Sequence, residues 1–322
     1  MQVIRGANPE ALRWEVPRPI LAIGTMDGVH LGHQEILRRV RERAATTQGT
    51  PGVLTFARHP LEVVRPQQAP ALITPLSVKL ALFRRLGMAA VAAIDFSPGM
   101  AALSAESFVE QVLVQGLRAA GVCVGYDFGF GKDRQGDARL LRSMAEAHGF
   151  WVEVVSPVSL DGHVVSSRLI RGLLSQGKVE EARRFLGRPY CLEGEVVPGA
   201  GRGRGLGFPT ANLAATGPVP LTDGVYAGRV LVQGEFRDAM MNLGEAPTFG
   251  PGDRRLEIHL PGWDAPLYGE RVIAFFLQRL RDEQRFASVA ALVEQLGKDR
   301  LDAETAWRHA GSLPWPDWAL HS

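Results

Sequence analysis

Apolar residues in the first half of the chain fall into short unbroken runs separated by longer segments with helical spacing. The runs Ile20–Ile23, Val53–Phe56, Ala89–Phe96, Val122–Val124 and Trp151–Val155 lack regular polar alternation, as strands covered on both faces do. Between them, Leu31–Ala44 places Leu31, Ile36, Leu37 and Val40 on one helix face. Pro75 opens a second helix carrying Leu76, Leu80 and Phe83, and Gly87 is placed to end it. Ser104–Leu117 and Asp137–Ala147 also read as helices, the latter stopping near Gly149. Strands and helices in alternation predict a parallel sheet covered on both sides.

After about Gly187 the pattern changes. Leu192–Val197, Gly224–Val232, Asp238–Asn242, Leu256–Leu260 and Arg271–Leu277 are short strands punctuated by Gly and Pro, which suits an antiparallel barrel or sandwich. Ser167–Phe185 reads as a helical connection, and Ser288–Leu296 and Ala303–His309 as two closing helices. The expected fold is α/β plus all-β: a Rossmann-like parallel-sheet domain over residues 1–187, then a small antiparallel β-barrel with C-terminal helix over residues 188–322. There is no internal repeat or low-complexity tract.

Composition narrows the function classes. The 322 residues suffice for two cores, and 46% hydrophobic with 22% charged residues marks neither disorder nor a membrane protein. With 36 basic against 34 acidic residues, the chain is not built to coat nucleic acid. Cys123 and Cys191 belong to no CxxC pair, so no zinc cage or redox motif is visible. No stretch is long and apolar enough to span a bilayer, and the N-terminus has no apolar core of a signal peptide. A reducing cytoplasm is the simplest expected setting, with no membrane and no nucleic-acid partner.

The candidate chemistry begins at Gly24–His33 (GTMDGVHLGH), which follows a strand and opens a helix. Gly24, Gly28 and Gly32 permit tight turns and close approach of backbone to a bulky anion. The helix N-terminus offers unpaired N–H groups and a positive dipole end to phosphate. His30 and His33, three positions apart, share one face of the first turn and can donate to phosphate oxygens while the α-phosphorus is attacked. Donors aimed at developing charge are each worth about 2.7–4 kcal/mol. Asp27 completes the loop. An isolated HxGH also fits two surface histidines, and it lacks the third ligand a metal site needs. The pattern points to an ATP-dependent enzyme that transfers an adenylyl group.

Further segments fit the same sheet edge. Thr55–Pro60 ends a strand and places His59 there, and Gly125–Lys132, with Asp127, follows another strand. The latter is not a P-loop, because Asp133 stands where Ser or Thr is required. Val165–Arg171 offers Ser166, Ser167 and Arg171 to a triphosphate. The densest signal of the second half is Gly199–Asn212. Its run Gly201, Arg202, Gly203, Arg204 and Gly207 can cradle phosphates, and Thr210 and Asn212 add neutral oxygens suited to Mg²⁺ carried by a nucleotide. Glu257 is a lone charge in an apolar strand, either a base toward a substrate hydroxyl or a solvated side chain.

Together these segments resemble the bacterial bifunctional riboflavin kinase/FMN adenylyltransferases, also called FAD synthetases. The resemblance rests on GTMDGVHLGH, TFARHP, VGYDFGFGKDRQGD and VSSRLIR, then on GRGRGLGFPTANL, DGVYAG, MNLGEAPTFG, LEIHL, LYG and LRDEQRF, in that order over nearly the whole chain. It implies a nucleotidyltransferase domain that turns FMN and ATP into FAD and pyrophosphate, and a barrel that turns riboflavin and ATP into FMN, with Mg²⁺. His30 and His33 match the ATP-phosphate histidines, Asp127 a flavin or ATP contact, and Ser166, Ser167 and Arg171 the phosphate-binding serine motif. Thr210 and Asn212 match the kinase's magnesium and phosphate ligands, and Glu257 its general base. Met26 replaces a usual Phe, Arg168 a usual Thr, and Gly205 a usual hydroxyl-bearing or bulkier residue. From the residues alone two other readings stand beside this one: a nucleotidyltransferase for another phosphorylated acceptor with a non-catalytic barrel, and an RNA-binding protein using Arg202 and Arg204.

Overall fold

The computed structural model describes residues 1–199, 205, 207–215, 218–245, 254–263 and 265–310. It divides into two compact units. The first comprises Met1–Pro70 and Leu76–Ser166, and the second comprises Ala71–Pro75 and the chain from Ser167 onward.

The first unit is built on six parallel strands: β1 (Gln2–Gly6), β2 (Pro19–Ile23), β3 (Thr50–Phe56), β4 (Ala90–Ile94), β5 (Gly121–Gly125) and β6 (Trp151–Val155), in the order β1-β4-β3-β2-β5-β6. β2 and β4 are buried along their whole length, which explains their unbroken apolar sequence. From β2 the chain moves outward through β3 to β4, then returns to lay β5 on the other side of β2. The reversal opens a crevice between β2 and β5 at their carboxyl ends, where ligands bind in open α/β sheets. The helix Leu31–Thr47 crosses from β2 to β3 and buries Ile36, Leu37, Val40 and Ala44. The helix Leu76–Arg85 ends before Gly87, whose φ is +82°. Ala138–His148 starts on Asp137, whose Oδ1 accepts from the N–H groups of Arg139 and Leu140, each at 2.9 Å. The segment expected as one helix over Ser104–Leu117 is a short helical turn followed by wide π-type turns at Phe108–Gly116. A two-residue hairpin, β7 (Ser159–Leu160) and β8 (His163–Val164), precedes the serine motif.

The second unit begins with two helices rather than one, Ser167–Ser175 and Val179–Leu186, because the chain turns at Gly177 (φ +74°) between them. A closed antiparallel barrel follows: β9 (Tyr190–Val197), β10 (Ala211–Ala215), β11 (Gly224–Val232), β12 (Glu235–Glu245), β13 (Arg254–His259) and β14 (Arg271–Arg281), in the order β10-β13-β12-β11-β14-β9. Closure removes the exposed edges that an open sheet would present. The two expected closing helices are one helix, Val289–Ala310. Its Ala303, Ala306, Trp307 and Ala310 pack against Ala227, Met240 and Leu277 on the barrel wall. The charged run Lys298–Arg300 mimicked a break, but Asp299 is buried and paired with Arg281 of β14, Oδ2 to Nη2 2.7 Å and Oδ1 to Nε 2.8 Å.

Candidate functional site

The histidine loop leaves β2 at Gly24, whose N–H donates to Leu54 O of β3 at 3.1 Å. Met26, Gly28 and Val29 then take φ values of +50°, +90° and +40°. A β-branched residue at positive φ is strained, so the surroundings must hold this turn in place. Met26, Asp27 and Val29 are buried. Met26, the unusual residue of the motif, packs beneath the loop, with its Cε 3.4 Å from where a Cβ on Gly24 would lie.

The turn delivers His30 to the N-cap of the helix Leu31–Thr47, where its Nδ1 accepts the His33 N–H at 3.3 Å. In the neutral ring, Nδ1 accepting this bond puts the proton on Nε2. The His30 and His33 rings stack with centroids 3.7 Å apart and planes 18° from parallel. Gly32 lies tight against this pair: a Cβ there would sit 3.1 Å from His30 Cε1 and 3.6 Å from the Val165 carbonyl. The tight contact is with the His30 ring, whereas the Val165 carbonyl lies at ordinary van der Waals distance. The start of the serine motif, Val165, thus lies beside the loop.

Ser166 closes the first unit and Ser167 opens the second. Arg168 is exposed, so the residue that replaces a usual Thr points its charge into solvent. Arg171 has a structural task, since its Nε donates to Ala71 O at 3.0 Å. Asp127 is exposed beyond β5, across the crevice strand from the histidine loop, and its backbone carbonyl accepts from Arg134 Nη2 at 3.1 Å. His59 lies past the end of β3, where its Nδ1 accepts the Leu61 N–H at 3.2 Å.

Sequence reasoning passed over Lys79. This lysine of the helix Leu76–Arg85 is fully buried, and its Nζ donates to Phe56 O at 2.7 Å and Thr25 O at 3.3 Å. Burial pushes its pKa down to about 8, against the opposing charge of Asp27. The available signal was its position inside the apolar run Val78–Phe83.

Two kinase candidates, Asn212 and Glu257, lie on strands of the barrel in the second unit. Gly201, Arg202, Gly203 and Arg204 lie outside the described residues, while Gly205 and Gly207 are exposed. Asn212 in β10 pairs in register with Glu257 in β13, and Glu257 pairs in turn with Asn242 in β12. Glu257 is exposed between the buried Leu256 and Ile258, on the side opposite the barrel interior. Asn212 is buried against Gly199, where a Cβ would fall 1.8 Å from Asn212 Nδ2, so residue 199 must be glycine for the amide to keep its place.

Thr210 lies just before β10 and Asn212 is its second residue. Their neutral hydroxyl and amide oxygens are of the donor type that suits a hard cation keeping its nucleotide oxygens. His259 was also passed over as a functional group. Its Nδ1 lies 2.9 Å from the Pro209 carbonyl, which only accepts, so Nδ1 carries the proton. Its ring tilts against Phe208 with centroids 5.1 Å apart. Burial lowers its pKa, opposed by the bond to Pro209, and the ring stays neutral.

Among the described residues, no helix is long and apolar enough to cross a membrane. The FAD synthetase family model matches residues 14–169, and the riboflavin kinase family model matches residues 186–307. The bifunctional riboflavin kinase/FMN adenylyltransferase of Pseudomonas fluorescens is 40% identical, covering 98% of this chain and 99% of that protein. Its namesakes in Escherichia coli K12 and Bacillus subtilis are 35% and 33% identical, each covering 94% of this chain and 97% of theirs. The crystal structure of a macrolide-efflux protein from Streptococcus pneumoniae has a TM-score of 0.83 at 30% identity, covering 94% of this chain and 99% of that one. The two matched models, in this order along one chain, and relatives of this identity over nearly its whole length place the protein in the bifunctional riboflavin kinase/FMN adenylyltransferase family.

Proposed function

We propose that the two activities of this chain divide between its two motif sets, with FMN adenylyl transfer in residues 1–187 and riboflavin phosphorylation in residues 188–322. The chain is a flavin-cofactor transferase that makes FMN from riboflavin and ATP, and FAD with pyrophosphate from FMN and ATP. The observation that supports the division is the separation of the histidine loop from the Asn212–Glu257 pair. The histidine loop sits at the switch point of a parallel sheet, whereas Asn212 and Glu257 face each other on a barrel wall in a different unit.

In adenylyl transfer an FMN phosphate oxygen attacks the α-phosphorus of ATP, and the bond to the bridging oxygen breaks to release pyrophosphate. His30 and His33 donate to the phosphate oxygens as charge moves onto the leaving group. Gly24, Gly28 and Gly32 admit the nucleotide against the backbone, Asp27 and His59 line its approach, and Asp127 contacts flavin or nucleotide from the β5 side. Ser166, Ser167 and Arg171 bind phosphate.

In the kinase reaction Glu257 accepts the proton of riboflavin's terminal ribityl hydroxyl, whose oxygen attacks the γ-phosphorus as ADP leaves. Thr210 and Asn212 hold the nucleotide's Mg²⁺, which when bound neutralises phosphate charge. The glycine–arginine run through Gly201, Arg202, Gly203, Arg204 and Gly207 covers the phosphates.

The test is product analysis. Purified protein given riboflavin, ATP and Mg²⁺ is expected to yield FMN first and then FAD, separable by chromatography. Absence of FMN defeats the kinase assignment. Absence of FAD when FMN is supplied directly defeats the adenylyl-transfer assignment.

A further inference from the structure

The histidine loop has an anchor that neither motif set contains. Two carbonyls at the carboxyl edge of the sheet, Thr25 O just after β2 and Phe56 O at the end of β3, converge on the ammonium of Lys79 at 3.3 and 2.7 Å. Thr25 O is held a second time, by the Thr55 hydroxyl at 3.0 Å. Lys79 comes from the helix Leu76–Arg85, which contributes none of the loop's own residues. Asp27, itself buried, supplies the nearby negative charge. Thr25 directly precedes the strained run Met26–Val29, so fixing its carbonyl fixes the origin of the turn that presents His30 and His33.

A fully buried ammonium is costly to desolvate, and an apolar side chain of similar length would fill the same space without that cost. Retaining a charge under the loop therefore points to geometry rather than to bulk stability. We infer that Lys79 is a positioning residue for adenylyl transfer, tying the histidine loop to the sheet so that both imidazoles meet the phosphates in a fixed register. The inference rests on the assignment of adenylyl transfer to that loop.

The experiment compares Lys79→Met, Lys79→Arg and His33→Ala in the full chain, measuring FMN formation and FAD formation from supplied FMN separately. Lys79→Met is expected to lower kcat for FAD formation about a hundredfold, the scale of a small misplacement of reacting groups. KM for ATP should change by no more than about threefold, because the lost contact aligns the transition state rather than holding the substrate. FMN formation should be unchanged, and Lys79→Arg should recover part of the lost kcat.

Near-UV circular dichroism and limited proteolysis report whether the first unit of Lys79→Met stays folded. A kcat for FAD formation within about twofold of the parent overturns the inference, and so does a loss that tracks the unfolded fraction. If His33→Ala leaves FAD formation intact, the loop assignment itself fails. If His33→Ala abolishes it while Lys79→Met does not, only the role of Lys79 falls.

Discussion

Asn212 and Glu257 stand directly opposite each other across the β10–β13 pair, with Asn242 opposite Glu257 on its other flank. This register places Glu257 between two asparagines on neighbouring strands, with the Asn242 amide itself donating to Glu283 Oε1 at 3.2 Å, and the proposed kinase site makes Glu257 the proton acceptor. Replacing Glu257 with Gln should lower kcat for FMN formation by about 10²–10⁴, the usual contribution of a general base. FAD formation from supplied FMN should persist. His33→Ala should give the mirror image. Parallel loss of both reactions in either variant would refute a two-site division.

The Pro209 carbonyl accepts the Nδ1 proton of His259 immediately before the Thr210–Asn212 pair. His259→Phe keeps a ring of similar shape and deletes that donor. One neutral hydrogen bond carries about 0.5–1.5 kcal/mol, so KM for ATP in the kinase reaction should rise about two- to tenfold. Steady-state kinetics at fixed riboflavin check this. An unchanged KM means that the segment holds its place without the imidazole.

Lys79 makes stability and adenylyl transfer respond oppositely to alkali. Its pKa is about 8 in the fold against 10.5 ordinarily. Between those values the unfolded chain binds a proton that the folded chain does not, so this group's contribution to stability rises with pH. The buried Cys123 thiol, pushed up to about 12 from 9.0, acts the other way once pH exceeds 9. The clean window is therefore pH 8 to 9, and the difference between the parent protein and Lys79→Met isolates the lysine. Across it the parent should gain stability to urea relative to Lys79→Met while its kcat/KM for FAD formation declines, as the ammonium that ties Thr25 O to Phe56 O is lost. A decline in activity accompanied by a falling urea midpoint would mean unfolding instead.

The order of strands and helices in the first unit was legible because β2 and β4 are buried on both faces and the helices between them follow the 3.6-residue period. What escaped was set by partners distant in sequence. β1 is a five-residue edge strand with mostly exposed or half-buried residues, and its pairing with β4 leaves no apolar run to read. β10 was hidden because Ala211–Asn212 reads as the tail of a glycine-rich loop until Glu257 is placed beside it. Lys79 and Asp299 share one cause: a charged residue is taken as solvated unless its buried partner is in view.

The pairing of Asp299 with Arg281 leads to a stability prediction for the barrel. Deleting the carboxylate with Asp299→Ala strands the Arg281 guanidinium, which is mostly buried. Removing one member of such a pair typically costs about 3–5 kcal/mol. Urea unfolding followed by riboflavin kinase activity should show a lower midpoint, with FAD formation from supplied FMN affected less. A shift below about 1 kcal/mol would place this pair among the exposed kind.

The excursion of Ala71–Pro75 into the second unit has a consequence for how the protein is made and cut. On the ribosome the Ala71 carbonyl is synthesised 100 residues ahead of the Arg171 guanidinium that donates to it, an interval of roughly 5–20 s at ordinary elongation rates. Thr74 likewise precedes Arg188, whose Nη2 donates to its hydroxyl at 3.3 Å. The later half of the chain therefore lacks a segment that groups with it in the fold. A barrel expressed from Ser167 lacks the Ala71 carbonyl and the Thr74 hydroxyl, though Arg188 keeps Leu186 O as an acceptor, and the five-residue ALITP peptide added in trans is the piece that carries the missing two.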